Sequence, residues 1–182
     1  AGQHDLLREL DDLRQGIDGT GIRPGFMKIG VNSEALTEVD RRLVQAAART
    51  HLQTGLTIAA HTGPAVPAFE ELDVLGREGV DPSAWIWVHA HTEEDGARHV
   101  EAARRGAWVE FDGLGPDSVE RFVALARSMK AHGVLHRTLL SHDAGWYHVG
   151  EERGGTVRPF TFLLETFLPL AKKSGIDASV IG

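Results

Sequence analysis

Short apolar runs that each end in a polar residue are the main pattern along this chain. Four of these runs close at Lys28, His61, His89 and Asp143. Each of the first three is followed by a stretch in which apolar residues recur at helical spacing. The pattern therefore predicts buried strands that alternate with helices, with one polar side chain at the carboxyl end of each of four strands.

The helix after the first of these strands has clear boundary signals. Thr37 can cap its start, Asp40 can reach back to complete a capping box, and Gly55 is placed to end it. The same strand and helix unit then recurs along the chain. Further strands are predicted to end at His61, His89, Asp112 and Asp143, and further helices to span 69–78, 93–105, 117–132 and 160–173, with an earlier helix over 5–15.

Spacing along the chain predicts the architecture. Between Lys28 and Asp143 the unit repeats about every 29 residues, which is the period of a (β/α) barrel. Five strands with helical crossovers can be counted, whereas a closed barrel needs eight strands and roughly 200 residues or more. We therefore expect a single α/β domain over residues 1–182: a partial TIM (β/α)8 barrel with about five βα units and without its first strands.

The composition of the chain argues against some classes of binding partner and of metal ligand. A chain of 182 residues with 42% hydrophobic residues can bury a core, and its net charge of −7 argues against binding to nucleic acid or an anionic membrane. No stretch approaches the roughly 20 apolar residues that span a bilayer, and the first residues lack a signal-peptide pattern, so we expect a cytoplasmic protein. The absence of cysteine leaves His, Asp, Glu and modified Lys as metal ligands.

The four polar strand ends are expected to converge, because the carboxyl ends of parallel strands form one functional face. Any one of them alone could be an ordinary polar residue at the edge of the core. Together, imidazoles and a carboxylate at a poorly solvated rim need positive charge between them, and a divalent cation is the simplest candidate. Neutral His and carboxylate suit zinc, cobalt or manganese. Lys28 fits such a site as a carbamate, formed with carbon dioxide, whose two oxygens can bridge two cations.

The segments around these residues resemble the phosphotriesterase family of the amidohydrolase superfamily, and the resemblance extends from Gly21 onward. Trp108–Gly113 and the helix around Leu43–Arg49 are also similar to that family. The segments that look like strands four, five, six and eight of its barrel are Met27-Lys28, Ala60-His61-Thr62, Val88-His89-Ala90 and Ser141-His142-Asp143.

The resemblance implies a metal-dependent hydrolase with two divalent ions, zinc first and cobalt or manganese as alternatives. Carboxylated Lys28 would bridge the two ions, and His61 and His89 would hold one of them. Asp143 would bind the other ion and accept a proton from the bridging hydroxide. The implied substrate is a small ester, lactone or organophosphate, attacked by metal-bound hydroxide.

Several positions depart from the family pattern. The family's His-x-His pair on the first strand has no counterpart, and Gly113 stands where some phosphotriesterases carry a His after strand seven. Asp112 remains as a pocket residue. If the strand continues past His89, His91 faces the same way and can also reach the pocket. Trp146 and Tyr147 are expected in the loop that shapes the substrate pocket.

The sequence is also compatible with two other functions. The chain can be a truncated, non-catalytic remnant or interaction module, because missing strands would leave open sheet edges that favour pairing with another copy. It can also belong to another amidohydrolase branch, such as a deaminase or cyclic amidase.

The sequence also predicts the orientation of three further side chains. Glu110 is expected to point inward with a backbone donor or an Arg as its partner, and His142 to point toward the helices. His99, in a predicted helix, is expected to face solvent.

Overall fold

A computed structural model describes residues 11–176 of the chain. Its centre is a parallel sheet in which the five strands lie in sequential order. Because every neighbouring pair is parallel, each connection must cross over the sheet, and helices make these crossovers, as predicted. The strands are β1 Phe26–Gly30, β2 Thr57–His61, β3 Trp85–Val88, β4 Trp108–Phe111 and β5 Thr138–Leu140.

Helices follow the strands in alternation. Within residues 11–176, no helix combines the length and the apolar character needed to cross a membrane. Residues 11–15 are helical, and the rest of the helix predicted over 5–15 lies outside the described residues. The helices after the strands are α1 Glu38–Thr54, α2 Ala65–Arg77, α3 Gly96–Arg104, α4 Val119–Ala131 and, after a π-helical turn at Leu163–Phe167, α5 Leu168–Lys173.

The predicted caps of α1 are confirmed. Thr37 Oγ1 accepts the Asp40 backbone N–H at 3.2 Å, and Asp40 Oδ2 accepts the Thr37 N–H at 2.9 Å. At the other end, Gly55 adopts φ 74° and donates its N–H to the His51 carbonyl. These bonds satisfy backbone groups that the helix ends would otherwise leave unpaired.

Several predicted boundaries differ from the structure. β4 ends at Phe111, one residue before the predicted Asp112, and β5 ends at Leu140, three residues before the predicted Asp143. β1 continues for two residues beyond Lys28, to Gly30. α2 begins at Ala65, four residues before the predicted start, because Pro64 is extended and lets the helix begin directly after it. α3 begins only at Gly96, since the Asp95 side chain accepts the Ala97 N–H at 2.9 Å and fixes the start there.

The two faces of the sheet differ in burial. Along β1 exposed and buried residues alternate, and Phe26 on the exposed face keeps 57% of its surface accessible. Lys28 lies on this same face, opposite Ala59 of β2 in the strand register. We call it the inner face. The other face packs against the helices through buried side chains that include Met27, Ile29, Ile58, Ala60, Trp85, Trp87, Val109 and Phe111.

Candidate active site

A cavity of about 240 Å³ opens at the carboxyl ends of the strands. All four side chains that the sequence predicted to converge contribute to its wall. The residues that line it are Lys28, His61, Val88, His89, Glu110, Asp112, Ser141, Asp143 and Trp146. The cavity therefore collects a lysine, two imidazoles and three carboxyl groups from the strands and from the segments that follow them.

Two imidazoles face each other at the mouth of this cavity. His61, the last residue of β2, has its Nδ1 atom 2.7 Å from Nε2 of His89, and the rings meet edge to face. Burial lowers the pKa of His61, and the electrostatic influence of His89 and Lys28 lowers it further. His61 is therefore held neutral near pH 7, and neutral imidazole is the form that binds a metal ion.

The other ring nitrogen of His89 is fixed by Asp112. His89 Nδ1 lies 2.9 Å from Asp112 Oδ1, and the His89 backbone N–H donates to Asp112 Oδ2 at 3.1 Å. Burial alone would raise the pKa of Asp112, but the close contact of the His91 ring and the hydrogen bonds from His89 outweigh burial and hold the pKa below its usual value. The anionic carboxylate favours a hydrogen on His89 Nδ1, which turns the Nε2 lone pair toward His61.

His91 reaches Asp112 by a route that the sequence did not predict. The predicted continuation of the strand is wrong, because β3 stops at Val88 and His89 turns into the left-handed region at φ 62°. A 3-10 turn over Ala90–Thr92 follows. His91 does not line the cavity; its Nδ1 lies 2.9 Å from Asp112 Oδ1.

His89, His91 and Asp112 also form a group whose ligand atoms all lie within 4.8 Å of one another, close enough to hold a metal ion. Two uses of His89 then compete. Its Nδ1 cannot both donate a hydrogen to Asp112 and offer a lone pair to a cation. We favour the hydrogen bond, because it leaves the lone pair of His89 Nε2 facing His61 Nδ1.

Asp143 stands on a constrained backbone three residues after the end of β5. Its φ is 42°, a conformation that costs a non-glycine residue on the order of 1–3 kcal/mol and needs support from its surroundings. Its carbonyl oxygen accepts hydrogen bonds from Trp146 Nε1 at 2.9 Å and from Arg158 Nη2 at 2.8 Å. Sequence reasoning missed Arg158, because it lies in an irregular loop without any spacing pattern.

Glu110 lies on the inner face among the site residues. The predicted backbone or Arg partner is wrong: the hydroxyl of Ser141, on the neighbouring strand end, donates to Glu110 Oε1 at 3.2 Å. Burial raises the pKa of Glu110, and the charge of Asp112 raises it further. Sequence reasoning placed Glu110 inside the barrel without assigning it to the site.

The structure separates the remaining candidates. Trp146 lines the cavity, whereas Tyr147 does not and lies against Gly154 of its own loop. His142 accepts the Leu163 N–H at 2.9 Å and so points toward the helices, as predicted. The prediction for His99 is wrong: it is 1% exposed, and its Nε2 bonds the Ala90 carbonyl at 2.7 Å, which supports the turn after His89.

Comparison with known proteins identifies the family. The model of the phosphotriesterase family matches residues 5–182. The chain belongs to this family. Among its curated relatives, the phosphotriesterase homology protein of Escherichia coli (strain K12) is 31% identical over 178 residues, which cover 95% of this chain and 60% of the relative. The N-acetyltaurine hydrolase of Homo sapiens is 29% identical over 188 residues, covering 94% and 53%.

Solved structures of the family confirm the fold class. The Escherichia coli phosphotriesterase homology protein, crystallised with phosphate in its active site, aligns with a TM-score of 0.86 at 29% identity and covers 100% of this chain and 63% of its own. A mutant of a phosphotriesterase-like lactonase from Deinococcus radiodurans aligns with a TM-score of 0.84 at 25% identity, covering 99% and 60%. The chain thus has the fold of part of a TIM barrel and spans about 60% of the length of the first relative.

Proposed function

We propose that this chain carries the catalytic centre of a metal-dependent hydrolase that cleaves an ester, lactone or phosphoester. Membership of the phosphotriesterase family supports a hydrolase of this type. The observation that carries the proposal is the 2.7 Å distance between His61 Nδ1 and His89 Nε2. Both histidines line a cavity that Lys28 and Asp143 also line.

The residues present fit one divalent ion and part of a second site, because the His-x-His pair of the family has no counterpart in this chain. His61 and His89 would hold one ion, Asp143 would hold the other, and Lys28 would bridge them once it is carboxylated. Zinc suits this set of nitrogen and carboxylate ligands first, with cobalt or manganese as alternatives. When bound, such ions acidify water and polarise a carbonyl or phosphoryl oxygen.

The protein's own groups supply the remaining chemistry. Asp143, at the cavity wall, accepts the proton that the attacking water gives up. Asp112 keeps the His89 ring oriented through its contact with Nδ1, and Trp146 forms an apolar side of the cavity. Arg158 and the Trp146 indole hold the Asp143 backbone by hydrogen bonds to its carbonyl.

The relatives define a test panel for the substrate. They include a lactonase, an aryldialkylphosphatase and an N-acetyltaurine hydrolase. A chromogenic panel should therefore contain phosphotriesters, aryl esters, lactones and an N-acetyl amide. We expect turnover in the ester, lactone or phosphoester arms; turnover of the amide alone would contradict the proposed substrate class.

The decisive experiment measures metal content and turnover of the full-length protein. We expect about two divalent ions per chain by elemental mass spectrometry and activity that a chelator removes and zinc or cobalt restores. His61→Ala and His89→Ala should each lose bound metal and most of the activity. His136→Ala is the matched control, because His136 is exposed just before β5, at the opposite end of the sheet. A protein with neither bound metal nor chelator-sensitive turnover would refute the proposal.

The exposed inner face favours a second candidate function, that of an interaction module. Such a module would pair with another copy of this chain. Phe26 on that face is 57% exposed, and in residues 11–176 the edge strands β1 and β5 each pair with one neighbour. Size-exclusion mass separates the two candidates. An inactive protein that self-associates until Phe26→Ser is introduced supports the module, whereas an active protein whose mass is unaffected by Phe26→Ser contradicts it.

A further inference from the structure

Gly113 has no side chain at a place where His91 occupies the space. A Cβ atom built on Gly113 would lie 2.5 Å from His91 Nε2 and 3.0 Å from Cε1, well inside contact distance. The φ angle of Gly113 lies outside the left-handed region, so the backbone itself does not require glycine. The close approach of the His91 ring is therefore what excludes a side chain at residue 113.

The His91 ring is held from several directions. It packs against Phe122 of α4 with 5.5 Å between the ring centroids, and the Arg121 guanidinium donates to the His91 carbonyl. Its Nδ1 lies 2.9 Å from Asp112 Oδ1. That approach is too bent for a hydrogen bond, and Nδ1 has no other hydrogen-bond partner among residues 11–176. The contact therefore acts through electrostatic attraction and packing.

Asp112 links this contact to the cavity. Its Oδ1 atom lies between the Nδ1 atoms of His89 and His91, at 2.9 Å from each. The Asp112 side chain is 3% exposed, so a shift of its carboxylate would leave a buried charge poorly compensated. A ring that fixes Asp112 therefore also fixes the hydrogen on His89 Nδ1 and the direction of His89 Nε2.

We propose that His91, seated against Gly113, is a positioning residue that holds Asp112 and thereby aims His89 Nε2 into the cavity. The role of the aimed nitrogen as a metal ligand rests on the proposed function. The positioning itself is a property of the metal-free protein. An experiment can therefore refute the positioning role of His91 without refuting the proposed metal site, and the reverse.

Gly113→Ala probes this arrangement, because the new methyl group must push the His91 ring away from Asp112 without removing it. His91→Ala removes the ring directly. In the double variant the methyl group has nothing left to displace, so the two effects should not add. Gly25→Ala is the matched control, since Gly25 has no left-handed φ and no atom within 4 Å of its built Cβ.

The first readout is the tautomer of His89 in metal-free protein, measured by 15N NMR of histidine-labelled samples. We expect mainly Nδ1–H in the unmodified protein and in Gly25→Ala, and a mixture of tautomers in Gly113→Ala and in His91→Ala. His91→Gln keeps a polar side chain beside Asp112 that fills part of the space of the ring, and it should restore part of the Nδ1–H population. It also gives a second variant should His91→Ala fail to fold.

The second readout is Co²⁺ affinity from competition with a chelator. Loss of a partner behind a metal-binding His typically lowers affinity about 10- to 100-fold, and we expect about tenfold for each single variant and no further loss in the double. An unchanged His89 tautomer in both Gly113→Ala and His91→Ala overturns the positioning role. A tautomer change without any Co²⁺ binding, even in the unmodified protein, leaves the positioning intact and refutes the proposed function instead.

Discussion

At the scale of single residues, a buried carboxyl group on the helix side of the sheet should make the stability of the fold depend on pH. Glu71 of α2 is fully buried, and its Oε2 accepts the hydroxyl of Thr62, the residue directly after His61. Its other oxygen, Oε1, has no hydrogen bond among the described residues. Burial raises the pKa of Glu71 from an ordinary 4.5 to about 8, so the group is mostly protonated at neutral pH.

Glu71 should therefore weaken the fold as the pH rises. The folded state keeps a proton that the unfolded state releases between pH 4.5 and about 8, so its stabilising effect is complete below that window and lost across it. Glu71→Gln, a neutral replacement of the same shape, should remove this dependence. Relative to the unmodified protein, the variant should gain on the order of a few kcal/mol between pH 5 and pH 9.

Urea unfolding at pH 5, 7 and 9 measures this difference. Glu120→Gln is the control, because Glu120 is an exposed residue of α4 and its replacement should leave the pH dependence unchanged. Parallel stability curves for the unmodified protein and Glu71→Gln would show that Glu71 is ionised in the folded state.

Arg158 offers a prediction about activity. Its guanidinium donates to the carbonyls of His142 and Asp143, which lie before and after the Cα atom of the left-handed Asp143. Arg158→Met should lower kcat about tenfold while the melting temperature stays nearly constant, because only the direction of Asp143 is released. Arg153→Met serves as control, since Arg153 lies in the same loop with an 89% exposed side chain. Equal kcat values for the two variants would exclude a role for Arg158.

At the scale of elements, the capping box of α1 gives a stability prediction. Thr37→Ala removes the acceptor of the Asp40 N–H and should cost about 1 kcal/mol in the free energy of unfolding. The hydrogen bond from Thr37 is also the main cause of the lowered pKa of Asp40. Since a lowered carboxyl pKa stabilises the fold only at higher pH, the cost of Thr37→Ala should shrink as Asp40 becomes protonated. Thr156→Ala, in an exposed loop, is the control, and a cost that stays constant down to pH 3 would contradict this linkage.

The elements show why the sequence predicted some features and missed others. The start and end of α1 depend on Thr37, Asp40 and Gly55, whose local chemistry is visible in the sequence. The turn at His89 depends on contacts from residues distant along the chain, such as Asp112 and His99. No spacing rule predicts that a non-glycine residue will adopt a left-handed conformation there.

The same distinction applies to the site. The strand ends predicted that Lys28, His61, His89 and Asp143 would share one cavity, because parallel strands end on one face. Loops determine the features of the site that the sequence did not predict. These are the contacts of Arg158, the hydroxyl partner of Glu110 and the position of His91. Loop conformation is set by tertiary packing, which periodicity does not record.

At the scale of the whole molecule, metal binding should be visible as folding stability. Ligands that bind only the folded state stabilise it by about 2.7 kcal/mol when free ligand is a hundredfold above its dissociation constant. Because the proposed ligands come from β1, β2, the residue after β3 and the segment after β5, a bound ion would connect most of the sheet. Removal of metal should then lower the melting temperature of the entire cooperative unit.

Calorimetry of the full-length protein before and after chelation tests this coupling. We expect chelation to lower the melting temperature by several degrees and added zinc to restore it, as about 1 kcal/mol corresponds to a few degrees in a protein of this size. His89→Ala should melt near the chelated value and no longer respond to zinc, whereas His136→Ala should respond like the unmodified protein. If chelation shifts the melting temperature of His89→Ala as much as that of the unmodified protein, the stabilising ion is bound elsewhere and the cavity at the strand ends is not the metal centre.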